Sequence, residues 1–183
     1  MKLDEARSNL LEVNIVNDKV DLVEIQSTDV KEVLRAKLSS AQAHVSAKYG
    51  PDAWTMVEDQ GLFFENMNGT FPGALIKFYF RSLGTGGLVR FNGGSRAIAV
   101  SAIGLAIGKQ RFIRVGTLGC TVASTLPEGA RDSKSYDPVI FPDLPPDHPN
   151  AGSSFATLLV NVKYQITHAS KAYQKIRKVL LSA

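Results

Sequence analysis

Two runs rich in valine, isoleucine and small residues, 96–108 and 110–124, meet at Gly108-Lys109 in the middle of the chain. Such side chains fit a pleated surface, and a short glycine-containing break between two of these runs reads as a long β-hairpin. The segments on either side supply what would cover it. Leu3, Ala6, Leu10 and Leu11 recur at helical spacing and predict a helix over 2–13, and residues 20–25 predict a short strand. Ser27, Thr28 and Asp29 offer cap chemistry for a helix over 29–48, which Gly50-Pro51 ends. Strands are expected at 53–58 and 62–65, a turn-rich loop at 68–73 and a helix at 74–83. Residues 125–152 hold Pro142, Pro145, Pro146 and Pro149 and predict an extended loop. From 154 onward the pattern is helical, with Ala172, Ile176, Val179 and Leu180 on one face and Lys171, Lys175, Arg177 and Lys178 on the other. The reading is an α/β fold, a mixed central β-sheet flanked by helices, with two lobes and a cleft between them.

A chain of 183 residues, 44% hydrophobic and 21% charged, holds one well-buried core, so 1–183 is expected to be a single domain. The net charge of +4 is mild, and the cations are spread along the chain with an extra cluster near its end. Without a concentrated basic stripe carrying interleaved aromatics, no nucleic-acid partner is expected, and the basicity suits small anions. Cys120 stands alone, which supports neither an internal disulfide nor a thiolate zinc site and fits a reducing, cytoplasmic setting. The most apolar stretch, 97–107, is too short to span a bilayer and is interrupted by Ser101 and Gly104, and no leader opens the sequence, so no membrane partner is expected.

The chemistry concentrates at Val57-Glu58-Asp59-Gln60-Gly61-Leu62, where two adjacent carboxylates follow an apolar run. A strand ending there delivers acidic oxygens to the rim of a sheet, where α/β proteins hold ligands. Carboxylates are natural ligands for Mg²⁺, which binds through one or two acids and is completed by substrate phosphates. By themselves, Glu58 and Asp59 read more readily as a polar strand end with solvated charges than as a site.

Four segments taken together resemble the inosine triphosphate pyrophosphatase family: Val57-Glu58-Asp59-Gln60-Gly61-Leu62, Asn68-Gly69-Thr70-Phe71-Pro72-Gly73, Tyr136-Asp137-Pro138, and Lys163 with Thr167-His168. Their order and spacing match over nearly the whole chain. The resemblance implies a homodimeric, Mg²⁺-dependent hydrolase. It would convert deaminated or otherwise damaged purine nucleoside triphosphates, such as ITP, dITP and XTP, to the monophosphate and pyrophosphate. It also implies roles. Asp59 would bind metal or activate water with Glu24 as a second acid, and Glu24, Glu58 and Asp59 would be the metal-ligand set. Lys37, Lys163 and, from Lys2-Leu3-Asp4-Glu5, Lys2 would contact phosphate. Tyr136 would stack on the base, Asp137 would lie near the nucleoside, and Thr167 and His168 would contact the base edge.

The chain also departs from the family pattern. The family's usual first strand and Ser/Thr-Gly-Asn phosphate turn have no counterpart in these residues. That implies a rearranged sheet, a gap filled by another chain, or a sequence that starts inside the natural protein. The family's Pro-Arg-Gly is Pro127-Glu128-Gly129, its Phe-Gly is Lys134-Ser135, and the arginine of its Ser-His-Arg is Ala169. A methyl group cannot make a guanidinium's bidentate contacts, so base selectivity should be weaker or different. The alternative reading is a catalytically impaired homologue that serves as a nucleotide-binding or dimerisation module.

Overall fold

The computed structural model describes residues 2–182. Helix α1 (Lys2–Asn9) is shorter than the 2–13 expected. Ala6 and Leu10 are buried, whereas Leu11 is 81% exposed, so the apolar spacing serves a short helix and one anchoring leucine. Residues 20–25 belong to no strand. β-branched composition favours extended backbone, yet a strand needs a ladder partner, and Val23 is left 80% exposed.

Helix α2 (Val30–Tyr49) begins and ends close to expectation. The Asp29 carboxylate accepts from the N–H groups of Lys31 (2.7 Å) and Glu32 (3.4 Å), which pairs donors that a helix start leaves free. Its buried face, Val30, Val33, Leu34, Leu38 and Ala41, lies on the sheet. Strand β1 (Thr55–Phe64) replaces the two strands expected at 53–58 and 62–65. Gly61 does not interrupt it, because β1 pairs with the hairpin along its whole length.

Strand β2 (Pro72–Gly73) is a two-residue edge, and helix α3 (Ile76–Asn92) follows. The expected 74–83 covers only its first half. Gly84, with φ of +63°, kinks the helix, and Thr85, Leu88, Val89 and Asn92 bury the second half. The hairpin is present as expected, as β3 (Arg96–Ile107) and β4 (Gln110–Val122), with Ile107 opposite Gln110 across the turn. The proline-rich loop contains a 3₁₀ turn, Asp137–Val139, and β5 (Ile140–Pro142), which pairs with Cys120–Val122. Helices α4 (Val160–Ile166) and α5 (His168–Leu180) complete the chain.

The sheet order is β2-β1-β3-β4-β5. The α/β class and the flanking helices are as expected, and every pairing among the described residues is antiparallel rather than mixed. Helix α2 covers one face, while α1 and α5 cover the other through Ala6, Leu10, Ala172, Ile176 and Ile103. A further core of Phe64, Leu88, Val122, Val139, Ile140 and Phe155 fills the end beneath α3. Strand β5 leaves most of the outer edge of β4 open. There Lys171 and Lys175 donate to the carbonyls of Thr117 (3.2 Å) and Val115 (2.6 Å), which blunts an edge that could otherwise pair with another chain. None of the helices among the described residues is long and apolar enough to cross a membrane.

Candidate active site

Side chains alternate across a strand, so Glu58 and Asp59 leave β1 on opposite faces. Asp59 turns toward α2, where Lys37 reaches it with Nζ 2.7 Å from Oδ1. The same ammonium lies 2.8 Å from Glu24 Oε1. Lys37 and Asp59 expose only 12% of their side chains each, whereas Glu24 exposes 45%. Burial raises the Asp59 carboxyl above its ordinary value against the opposing pull of Lys37, and it also sits near Glu24. The Lys37 hydrogen bond lowers Glu24. Burial opposes the charge on Lys37, but its bonds to Asp59 and Glu24 outweigh that and raise it, so it stays an ammonium. Asp59 Oδ2 is buried and has no hydrogen-bond partner among the described residues.

Glu58 is not part of this cluster. Its carboxylate accepts from Tyr173 Oη (2.9 Å), Ser101 Oγ (3.1 Å) and Gln60 Nε2 (2.5 Å) on the face covered by α5. The expectation that it joins a metal-ligand set with Asp59 fails on strand alternation.

Asp59, Glu24 and Lys37 open into a cavity of about 590 Å³. Lys2 and Glu5 of α1, Lys77 and Arg81 of α3, Lys134 and Tyr136 of the loop, and Lys163 with His168 of the terminal helices line the rest. Lys163 forms an ion pair with Asp137, and its ammonium lies 5.7 Å from the centre of the Phe155 ring. The Phe155 N–H donates to the Ile140 carbonyl (3.0 Å), which fixes that ring beside the 3₁₀ turn. Tyr136 meets Phe80 edge-on, 5.9 Å between centres, and Phe155 meets His168 at 6.3 Å. This end of the cavity is aromatic and the Asp59 end is ionic.

His168 reaches the cavity because Gly116 lets α5 approach β4. A Cβ at Gly116 would overlap the His168 carbonyl and stand 2.6 Å from the Ala172 nitrogen. Burial, with the nearby ammonium of Lys2, lowers the His168 imidazole to about 4, and its Nδ1 is buried with no partner among the described residues. The ring is therefore neutral across the physiological range, with one nitrogen uncommitted. Thr167 lines the same wall, but its hydroxyl is turned inward to cap α5 and bond Glu5 rather than toward an open space.

Nine of the ten site residues expected from sequence line one cavity, and Glu58 alone does not. Four of its charged residues are not among the expected ten. Lys77 and Arg81 stand four apart on α3 just after the Pro72-Gly73 turn, a spacing that puts both on one helix face and could have flagged them. Lys134 had counted only as a departure, and Glu5 gave no signal beyond its place after Lys2. Among the described residues Lys77, Arg81 and Lys134 have no ion-pair partner.

The profile of the Ham1 family matches residues 1–179. The chain belongs to the Ham1 family. A Kluyveromyces lactis protein named inosine triphosphate pyrophosphatase is 28% identical over 171 residues, covering 91% of this chain and 81% of its own length. Two archaeal relatives are named dITP/XTP pyrophosphatase. The one from Ignicoccus hospitalis is 31% identical, covering 92% of this chain and 84% of its own. That from Pyrobaculum aerophilum is 29% identical, covering 84% and 76%.

In this Ham1-family chain the expected Mg²⁺ can be tested against the residues present. No group of three or more histidine, cysteine or acidic side chains converges among the described residues. Two carboxylates do, and the unpartnered Asp59 Oδ2 is an acidic oxygen without a protein donor. That donor set fits a magnesium ion, which takes one or two protein carboxylates and fills its remaining positions with water and phosphate.

Proposed function

We propose that this Ham1-family protein hydrolyses purine nucleoside triphosphates carrying a deaminated base, ITP, dITP and XTP, to the monophosphate and pyrophosphate. The observation that carries the reading is the Asp59–Lys37–Glu24 cluster, its Asp59–Lys37 pair nearly buried, at the ionic end of a cavity whose other end is aromatic. A volume of about 590 Å³ suits a nucleotide, and the ion cluster suits its phosphate tail.

The roles follow from position. A water oxygen bonds to phosphorus as the α–β bridging P–O bond breaks, and Asp59, made more basic by burial, takes the water proton. Lys37 holds Asp59 in place and, with Lys2 and Lys77, offsets the charge of the phosphate oxygens as point charges. Asp59 and Glu24 would hold Mg²⁺, which supplies further charge neutralisation at the phosphates when bound. Lys163, paired with Asp137, sits between the phosphate and base ends. Tyr136 and Phe155 supply the faces against which a purine packs, and neutral His168 contacts its edge. A homodimer and a cytoplasmic setting belong to the same reading, and sedimentation at twice the monomer mass tests the first.

Incubating the protein with ITP and Mg²⁺ and separating the products tests the activity. IMP and pyrophosphate in equal amounts support it. IDP with phosphate, or no turnover at any Mg²⁺ concentration, overturns it. Ala169, 1% exposed in the cavity wall, favours one alternative, a member that binds nucleotide without cleaving it. Calorimetric binding of ITP in the absence of any product would establish that reading instead.

A further inference from the structure

We propose that Glu5 is a positioning residue for the base end of the cavity, acting through the corner between α4 and α5. The inference rests on the reading of the cavity as a nucleotide site. Glu5 is 7% exposed, on the face of α1 turned to that corner. Its Oε1 accepts from the Thr167 hydroxyl and lies 3.3 Å from Ser170 Oγ. The Thr167 oxygen in turn accepts from the Ser170 N–H at 3.0 Å and so caps α5. The single Ser170 hydroxyl proton goes to the Tyr164 carbonyl. Asn9 closes the circuit, its Nδ2 donating to the carbonyls of Glu5 (2.9 Å) and Tyr164 (3.2 Å).

This network joins three helices at the point where the chain turns from Lys163 to His168. Without the Glu5 carboxyl, the buried Thr167 hydroxyl loses its acceptor, and a corner with an unsatisfied polar group relaxes until it finds another. The movement carries Thr167 and His168 with it. The Asp59–Lys37–Glu24 cluster belongs to β1, α2 and the segment between α1 and α2, and none of its hydrogen bonds run through Glu5. Loss of Glu5 should therefore weaken recognition of the base and spare recognition of the phosphate tail.

The test compares ITP turnover with inhibition by inorganic tripolyphosphate, which has a tail and no base, in wild type, Glu5→Ala and Glu5→Gln. Glu5→Ala is expected to raise KM for ITP about tenfold, with kcat and the tripolyphosphate inhibition constant each within about twofold of wild type. Glu5→Gln keeps an acceptor oxygen in place and should stay within about threefold of the wild-type KM. An unchanged KM in Glu5→Ala, or equal rises for ITP and tripolyphosphate, overturns the proposal. If Glu5→Ala does not fold, Glu5→Asp, whose carboxyl is drawn back by one methylene, must show the same split. A wild type that cleaves no ITP would refute the functional reading instead, and the calorimetric affinities of ITP and tripolyphosphate would then have to separate in Glu5→Ala in the same way.

Discussion

At the scale of single residues, the protein concentrates its electrostatic cost in Lys37 and Asp59, a nearly buried pair whose partners are each other and Glu24. Removing one member of such a pair strands the other charge. Lys37→Met is expected to lose about 3 kcal/mol of stability at pH 7 in urea unfolding. Part of this should return at pH 5, because a stranded Asp59, its carboxyl already raised by burial, takes up a proton more readily there than at pH 7. A deficit identical at both pH values would show that the pair is not what the substitution breaks. His168 gives a second pH dependence of known sign. Its folded value of about 4 lies below the ordinary 6.5, so its contribution is complete above pH 6.5 and is lost as pH falls toward 4. Wild type should lose on the order of 1–2 kcal/mol more than His168→Phe between pH 7.5 and 5, read from urea midpoints. Equal losses would contradict a buried neutral imidazole. Cys120 is 0% exposed, and burial pushes its thiol up to about 12, so a thiol reagent should label it only after unfolding. Asp59 was legible as a site carboxylate, although it stands within β1 and not at a strand end. The fate of Glu58 was not, because adjacent positions look alike in a motif and a sheet sends them to opposite faces.

At the scale of elements, the site depends on how closely helices approach the sheet. Gly116 is the contact point for α5, and a methyl group there would push the first turn of the helix, His168 included, away from β4. Gly116→Ala is expected to cost about 1–3 kcal/mol by overpacking and to lower kcat/KM for ITP at least tenfold. Retained activity with lowered stability would mean that the His168 position does not matter to turnover. The hairpin and α2 were legible because each carries its own signal, a glycine turn between β-rich runs and an aspartate cap before an apolar stripe. The second half of α3 was not, since Gly84, Gly86 and Gly87 argue against a helix that burial of Leu88 and Val89 nonetheless holds. Residues 20–25 failed in the opposite direction, with strand composition and no neighbour to pair with.

At the scale of the whole molecule, the fold gathers residues from most of its length around one cavity, with an ionic end on β1 and α2 and an aromatic end between α3, the 3₁₀ turn and α5. Sequence order alone could place Glu24, Lys37 and Asp59 on successive elements, but not show that a single ammonium bridges both acids. Lys77, Arg81 and Lys134 became visible only when α3 and the loop were seen to face the same space. The proposed hydrolysis depends on Asp59 as the proton acceptor in that space. Its most direct test is Asp59→Asn, which keeps the shape and removes the charge, with pyrophosphate release from ITP measured beside calorimetric ITP binding. The expected result is a fall in kcat of at least about 100-fold with affinity within about tenfold of wild type. Pyrophosphate release at the wild-type rate in Asp59→Asn would contradict it.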